Sequence, residues 1–470
     1  MSDKFNSYRY KTQPYEHQKK VLKDSWAELY YAYLLEMGTG KSKCAIDNIG
    51  MLYEDNKINA VLIIAPKGVM DNWSKGEIPV HLPDRIPRIV CGWTPSSSKK
   101  FAEELKHITY HKTNDLKFFV MNVEAFSTSK GTKAAYEFLL KNPENMVVVD
   151  ESTTIKNRKA ARTKNIMELR NVSLYRRILT GSPVTKSPMD LFSQCFFLSP
   201  RALGFNSYYA FQNRYAQVQS RTMGNRSFQE IVGYRRLDEL NEKLLSFSNR
   251  TLKEDCLDLP EKIYTRRHIE LTDEQLTVYT QMKKLALAQL QNGDLATTES
   301  VLTQIMRLQQ ICCGFFQPDE GAIQPLANNR LSGLMSVIDE CSGKAIIWAS
   351  YTYDIQRIAQ ALRDRFGPDS VATYFGGTPQ NDRQDIVNKF QDADSDLRFF
   401  VGQPKTGGFG ITLHQASTVI YFSNSYDLEI RLQSEDRAHR LGQTKSVTYV
   451  DLVSPNTIDD KVLGALRKKI

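Results

Sequence analysis

Met146-Val147-Val148-Val149-Asp150-Glu151 is a run of four apolar residues that ends abruptly in two carboxylates. Bulky apolar residues without alternation are the pattern of a strand buried on both faces, and such strands belong to parallel sheets covered by helices. The C-terminal edge of a parallel sheet is where α/β folds bind ligands, so Asp150 and Glu151 are expected at a binding edge. Similar runs recur at Ala60–Pro66, Lys117–Val123 and Arg177–Gly181 in the first half. In the second half they lie at Lys344–Ser350, Val371–Phe375, Leu397–Gly402, Thr418–Ser423 and Ser446–Val453. Polar, helix-compatible sequence follows each run. Two series of strand–helix alternation predict an α/β protein of two parallel-sheet lobes, over 1–198 and 330–470. Between them, 199–329 changes to longer helical periodicity and is expected to hold helical insertions and the link between lobes. Amphipathic helices are predicted there over Leu276–Leu290 and Leu302–Cys312.

Upstream of the acidic pair, the apolar Tyr33-Leu34-Leu35 leads into Gly38-Thr39-Gly40-Lys41-Ser42. Glycines let the backbone curl so that its N–H groups face a phosphate, and the following helix adds its positive end. In such a loop Lys41 reaches the β- and γ-phosphates and Ser42 ligates Mg²⁺. Asp150 would hold the same ion, and Glu151 would orient or deprotonate the attacking water. A phosphate-bearing nucleotide with Mg²⁺ is therefore the expected ligand. In the second half, Gln433-x-x-Asp436-Arg437-x-x-Arg440 places two arginines three apart on one face of a predicted helix. Guanidinium groups neutralise charge that develops on a transferring phosphoryl group. The competing reading is an exposed salt-bridged face of Glu435, Asp436 and Arg437.

The 470 residues are 41% hydrophobic and 24% charged, with a net charge of +9, which favours a polyanionic partner. The seven cysteines are scattered without a Cys-x-x-Cys pair, so neither a disulfide framework nor a zinc ribbon is supported. No apolar run approaches the roughly 20 residues that cross a bilayer, and the N-terminus lacks a signal-peptide core. A soluble, intracellular protein with no membrane or zinc partner is expected. From Lys156 to Arg177 eight basic residues face one acidic residue, Glu168. This run is either a track for phosphates or a solvated helix face. Further on, Arg214, Arg221, Arg226, Arg235 and Arg236 are interleaved with Tyr209, Tyr215, Phe228 and Tyr234. Stacking on bases competes here with packing of an inserted subdomain, and packing is the favoured reading.

The ordered set Glu36-Met-Gly-Thr-Gly-Lys-Ser42, Asp150-Glu-Ser-x-x-Ile-Lys-Asn157, Leu179-Thr-Gly-Ser-Pro183, Thr406-Gly-Gly-Phe-Gly-Ile-Thr-Leu413 and Gln433-x-x-Asp-Arg-Ala-His-Arg-x-Gly-Gln443 resembles superfamily two helicases. More narrowly, it resembles their Swi/Snf-related branch of double-stranded DNA translocases. The resemblance runs from Tyr15 to Val453, and Arg250-x-x-Lys253-Glu-Asp resembles that branch's link between lobes. It implies two RecA-like lobes and a DNA-dependent ATPase that acts on double-stranded or branched DNA with little regard to base sequence. It further implies that Gln18 reads adenine, making ATP the nucleotide, and that Gly38, Thr39, Gly40, Gly410 and Gln433 contact it. Arg437 and Arg440 would complete the ATP site from the second lobe. Pro66, Lys67, Lys156, Gly407, Gly408 and Thr412 would contact DNA, and Thr180 and Ser182 would couple nucleotide state to lobe movement. The sequence departs from the pattern at Thr153, at Gln403-Pro404-Lys405-Thr406 and at Leu34-Leu35. With no appended reader domain in view, it is most like compact bacterial or phage-encoded members.

Overall fold

A computed structural model of the chain describes residues 4–467 apart from 96–97, 224–225, 257–258, 292–297, 319–320, 381, 408–410 and 441. The chain forms two compact units, Met1–Leu257 and Asp258–Ile470. The stretch expected to lie between the lobes is thus shared by both.

The first unit is built on seven strands. In chain order they are β1 (Tyr30–Leu35), β2 (Ala60–Ala65), β3 (Arg88–Gly92), β4 (Leu116–Asn122), β5 (Asn145–Asp150), β6 (Tyr175–Leu179) and, after an antiparallel ribbon of β7 (Ala216–Met223) and β8 (Arg226–Tyr234), β9 (Ser248–Thr251). All pairings in the sheet are parallel, in the order β3-β4-β2-β5-β6-β1-β9. β2 and β5 are buried at every position, as their unbroken aliphatic sequence requires. β9 has the sequence Ser-Asn-Arg-Thr, and an edge strand of this kind carries no apolar signal. The ribbon also lies where helices were expected. Val218 and Ile231 pack partly on the core, whereas Gln217, Gln219, Ser220, Arg221 and Gln229 are exposed.

The second unit contains β10 (Lys262–His268), the short pair β11 (Phe315–Phe316) and β12 (Gln324–Pro325), then β13 (Lys344–Trp348), β14 (Val371–Tyr374), β15 (Phe399–Gly402), β16 (Ala416–Tyr421) and β17 (Val447–Val453). Its sheet is parallel throughout, in the order β10-β17-β16-β13-β15-β14. Successive residues of β13 feed two cores. Ala345 and Ile347 enter one, and Ile346 and Trp348 enter the other, so both faces are covered by helices. The helices Asp273–Gln291 and Thr298–Cys313 span the two amphipathic stretches read in the sequence.

Two arginines close the cores from within. Arg177 on β6 is wholly buried and gives its guanidinium protons to Asn48 Oδ1 and to the carbonyls of Ser25, Glu28 and Arg176. Arg330 does the same in the second unit. It donates to Asp459 at 2.7 Å and to the carbonyls of Phe422, Leu452 and Cys312. One side chain thereby ties the end of the Thr298–Cys313 helix to two strand ends and the C-terminal helix. Removing one member of a buried ion pair costs about 3–5 kcal/mol, because the other charge stays buried without compensation. Arg330→Met is therefore expected to lower the denaturant midpoint of the second unit by a corresponding amount. Asp459→Asn in the same background should recover part of the loss.

Candidate active site

The glycine loop leaves β1 at Leu35 and re-enters helix at Lys41–Glu54. Gly38 and Gly40 both have left-handed backbones, with φ of +85° and +92°, which is what the curl demands. At Gly40 an added Cβ would also lie 2.1 Å from Nε2 at the far end of the Gln18 side chain. Thr39 is fastened by its hydroxyl to the Glu36 carbonyl at 2.7 Å. Its own carbonyl accepts from Gln18 Nε2 at 2.9 Å and bonds His17 Nε2 at 2.8 Å. Gln18 Oε1 accepts the Tyr15 amide at 3.0 Å. Gln18 is thus a buried strut between the helix Glu16–Ser25 and the loop.

Lys41 Nζ stands 4.0 Å from Glu151 Oε1, and both residues are buried. Lys41 opens the helix that follows the glycine loop, and Glu151 directly follows the C-terminal end of β5. Glu151 adopts φ +45° and ψ +61°, a left-handed conformation that costs a non-glycine residue of order 1 kcal/mol or more. Strain of this kind persists where the surroundings impose it, and it turns the chain sharply after β5. Asp150 is also buried. One oxygen accepts the Glu151 amide at 2.9 Å, and the other accepts the indole N–H of Trp73 at 2.8 Å. Burial, and then the neighbouring Glu151 charge, push the Asp150 carboxyl above the usual carboxylate range. A cation would relieve that cost. The donor set, an Asp150 carboxylate and a Ser42 hydroxyl at a helix start, consists of hard oxygens that suit Mg²⁺. Among the described residues no group of three or more His, Cys, Asp or Glu is placed to hold a metal ion, so such an ion would depend on nucleotide oxygens as well.

The Leu179–Pro183 motif is joined to this edge. Thr180 is buried with its hydroxyl accepting the Ser182 amide at 3.2 Å, while Ser182 is exposed. Arg250, at the end of β9, donates to the Gly181 carbonyl at 2.6 Å and lies 3.7 Å from Glu36. The Lys253 amide donates to the same Glu36 carboxylate at 2.9 Å. The motif read as a link between lobes is therefore anchored on the glycine loop itself.

Of the eight basic residues from Lys156 to Arg177, three serve the fold. Arg177 is the buried hub described above. Arg176 bonds the carbonyls of Leu198 and Ser173, and Arg170 bonds that of Phe196 while lying over its ring. Lys156 donates to the Thr185 hydroxyl, and Arg158 stacks on Tyr208 and Tyr209. The second basic stretch divides too. Tyr215 is wholly buried, whereas Tyr209 is 64% exposed and Tyr234 also lies at the surface; the side chain of Phe228 is outside the described residues. Pro66 is buried and Lys67 is exposed at the end of β2.

In the second unit the helix Leu428–Glu435 ends before the arginines, so Arg437 and Arg440 do not lie on a helix face as expected. They converge by another route. Arg437 Nη1 and Arg440 Nη1 both donate to the Ile411 carbonyl, at 3.1 and 3.3 Å. The exposed salt-bridged face is also absent: Glu435 and Arg437 are buried, and Glu435 binds Arg431, Lys262 and the Tyr264 hydroxyl. Gln433 is buried near Glu429, Thr412 is half-buried, and Gly407 packs on the Trp348 ring. Gly408 and Gly410 lie outside the described residues. Trp73 and Gln194, which accepts from Ser152 at 2.6 Å, escaped the sequence reading. Their partners are distant in the chain.

A profile described as the SNF2-related domain matches residues 34–316, and the Helicase conserved C-terminal domain matches 329–442. The SWI/SNF chromatin-remodeling complex subunit snf22 of Schizosaccharomyces pombe is 26% identical over 464 residues, covering 93% of this chain and 26% of that protein. The Uncharacterized ATP-dependent helicase MG018 of Mycoplasma genitalium is 25% identical over 440 residues, covering 92% and 39%. The DNA annealing helicase and endonuclease ZRANB3 of Bos taurus is 26% identical over 450 residues, covering 92% and 38%. The chain thus spans 26% to 39% of the length of these curated relatives. A solved structure, the Sulfolobus solfataricus SWI2/SNF2 ATPase core in complex with dsDNA, is 23% identical with a TM-score of 0.44, covering 98% of this chain and 92% of that one. With the SNF2-related profile spanning more than half of its residues, the chain belongs to the SNF2-related family.

Proposed function

We propose that this chain is a DNA-dependent ATPase that moves along double-stranded DNA and uses that movement to remodel forks, branched DNA or protein–DNA complexes. The observation that carries the reading is the buried Lys41–Glu151 pair at the mouth of a left-handed glycine loop, with Asp150 beside it. A lysine and two carboxylates kept from water at one sheet edge suit a triphosphate far better than they suit packing. Kinship adds support, since relatives are named as a chromatin-remodeling subunit and as a DNA annealing helicase.

In this mechanism Lys41 leaves Glu151 for the β- and γ-phosphates, and the loop amides from Gly38 to Ser42 cradle the same oxygens. Glu151, released from its cation, accepts a proton from the attacking water. Ser42 and Asp150 would hold Mg²⁺, which when bound would neutralise charge on the phosphate oxygens. Gln18 keeps one donor and one acceptor beyond its present bonds, enough to read the adenine edge. Gly410 and Gln433 line the nucleotide, while Arg437 and Arg440 bring guanidinium charge to the transferring phosphoryl group. Thr180 and Ser182 carry the nucleotide state onward through Arg250, which bonds Gly181. DNA phosphates are met by Pro66, Lys67, Lys156, Gly407, Gly408 and Thr412, so binding is indifferent to base sequence and weakens with salt.

Strand separation is the second reading: it uses the same nucleotide-site residues and differs by a wedge that splits the duplex. Displacement of a third strand from a triplex without unwinding of a fork supports translocation, and the reverse supports separation. Among the described residues no helix is long and apolar enough to cross a membrane.

Lys41→Ala and Glu151→Gln are each expected to lower DNA-stimulated ATPase by about a hundredfold or more. Wild-type turnover in either variant would refute the site. Arg437→Ala is expected to reduce kcat, by as much as about a thousandfold, with ATP affinity held within a few-fold in equilibrium titration. Gly40→Ala forces a Cβ onto Gln18 at a φ that disfavours it, so nucleotide affinity is expected to fall by about tenfold or more. A chain that travels should also show ATPase rates that rise with duplex length, whereas a length-independent rate marks a nucleotide-gated clamp.

A further inference from the structure

Trp73 is wholly buried, and its Nε1 donates to Asp150 Oδ2 at 2.8 Å. A buried indole N–H must find an acceptor, and for packing alone any backbone carbonyl would do. The acceptor here is instead the carboxylate to which the proposed reaction assigns Mg²⁺. The other Asp150 oxygen takes the Glu151 amide at 2.9 Å, so the carboxylate is held at both ends and cannot rotate freely about its Cβ–Cγ bond. Its remaining lone pairs are thereby fixed in direction, and hydrogen bonds of this charge-assisted kind are the strong ones.

The segment that carries Trp73 has its own peculiarity. Pro66 ends β2, Lys67–Val69 is a 3₁₀ turn, Asn72–Glu77 is a π-helical turn, and Ile78–His81 returns to α-helix. π turns are rare and concentrate at functional positions. This one holds Trp73, and it follows a strand that pairs directly with β5, Ile64 lying opposite Val149. The metal-binding carboxylate and the segment beginning at Pro66 are thus joined twice, once through the sheet and once through the indole.

We propose that Trp73 is a positioning residue, whose indole N–H sets the Asp150 carboxylate in the orientation that receives Mg²⁺ and ties it to the Pro66–Glu77 segment. The proposal rests on the assignment of Asp150 as a metal ligand, and its test separates the two. Trp73→Phe keeps most of the ring and removes the donor. ADP affinity of the whole chain is measured by calorimetric titration with Mg²⁺ and in EDTA. Trp73→Phe is expected to shrink the Mg²⁺-dependent gain in affinity by about fivefold, with the EDTA value moved by less than about twofold. Asp150→Asn should abolish the gain, and Trp73→Phe added to it should change nothing more.

Equal loss in both conditions, persisting in the Asp150→Asn background, would mean that Trp73 acts by packing alone and would overturn the proposal. A Mg²⁺ gain untouched by Asp150→Asn would remove the metal-ligand assignment, and the proposal with it. Should Trp73→Phe fold poorly, the wild-type chain still answers. It has four tryptophans, Trp26, Trp73, Trp93 and Trp348, hence four indole N–H resonances. The Trp73 signal should shift when Mg²⁺ is added to the ADP complex, and a Trp73 signal indifferent to Mg²⁺ would overturn the proposal.

Discussion

Lys41 and Glu151 face each other at 4.0 Å in a place that water barely reaches, with Asp150 against the same wall. Burying one cation and two carboxylates is costly unless each charge is compensated, and the net excess here is negative. The protein therefore holds the site by covalent geometry and hydrogen bonds. Two left-handed glycines shape the loop, a left-handed Glu151 turns the chain after β5, and Trp73 and the Glu151 amide occupy Asp150. Lys41 alone does not offset the two carboxylates, so the excess charge rests on these dipoles and hydrogen bonds. Preorganisation of this kind is what electrostatic catalysis requires, because the groups are already in place when charge develops.

The supports of that arrangement explain why the first sheet extends as far as β9. Arg250 reaches from the β9 end to the Gly181 carbonyl and to Glu36 beside the glycine loop, and the Lys253 amide bonds the same carboxylate. Chain beyond the sheet is thus tied to the loop by charge-assisted bonds, which tolerate little misplacement. Gln18 performs a similar task from the N-terminal side through the Thr39 carbonyl. The nucleotide loop is clamped by residues from both sequence ends of its unit, and its conformation cannot change without straining those elements.

Strands buried on both faces were legible because burial dictates their composition. β2, β4, β5 and β6, and β13 and β15 to β17, all coincide with apolar runs, as does the edge strand β14. Edges obey no such rule. β3, β9 and β10 carry arginine, asparagine or alternating polar residues, and nothing in Ser248–Thr251 distinguishes strand from loop. The β7–β8 ribbon carried a cue in Gly224-Asn225, which suits a tight hairpin, but its glutamine-rich strands read as helix. Site chemistry was legible where one short segment supplies it, as in the glycine loop and the acidic pair. It was illegible where the partner lies far off, as Trp73 does from Asp150. Charge alone misled in one respect: Arg170, Arg176 and Arg177 sit in a basic run yet bond carbonyls in the interior, because guanidinium is the cation that a fold can bury on backbone acceptors.

The second unit shows how convergence can survive an incorrect local expectation. Arginines three apart would share a helix face, but the helix stops at Glu435, whose carboxylate is drawn inward by Arg431, Lys262 and Tyr264. What brings Arg437 and Arg440 together is a common acceptor, the carbonyl of Ile411. The Leu413 amide returns a bond to the Arg437 carbonyl, and Gln443 fastens the loop to the carbonyls of His414 and Ala416. Ile411, Leu413 and the arginine motif are therefore hydrogen-bonded together, although Ile411 lies far from Arg437 and Arg440 in sequence. A displacement of Ile411 is felt by both guanidinium groups at once. Conversely, an anion that draws the arginines away leaves that carbonyl seeking new donors. Coupling between two motifs needs no long pathway when both use the same oxygen atom.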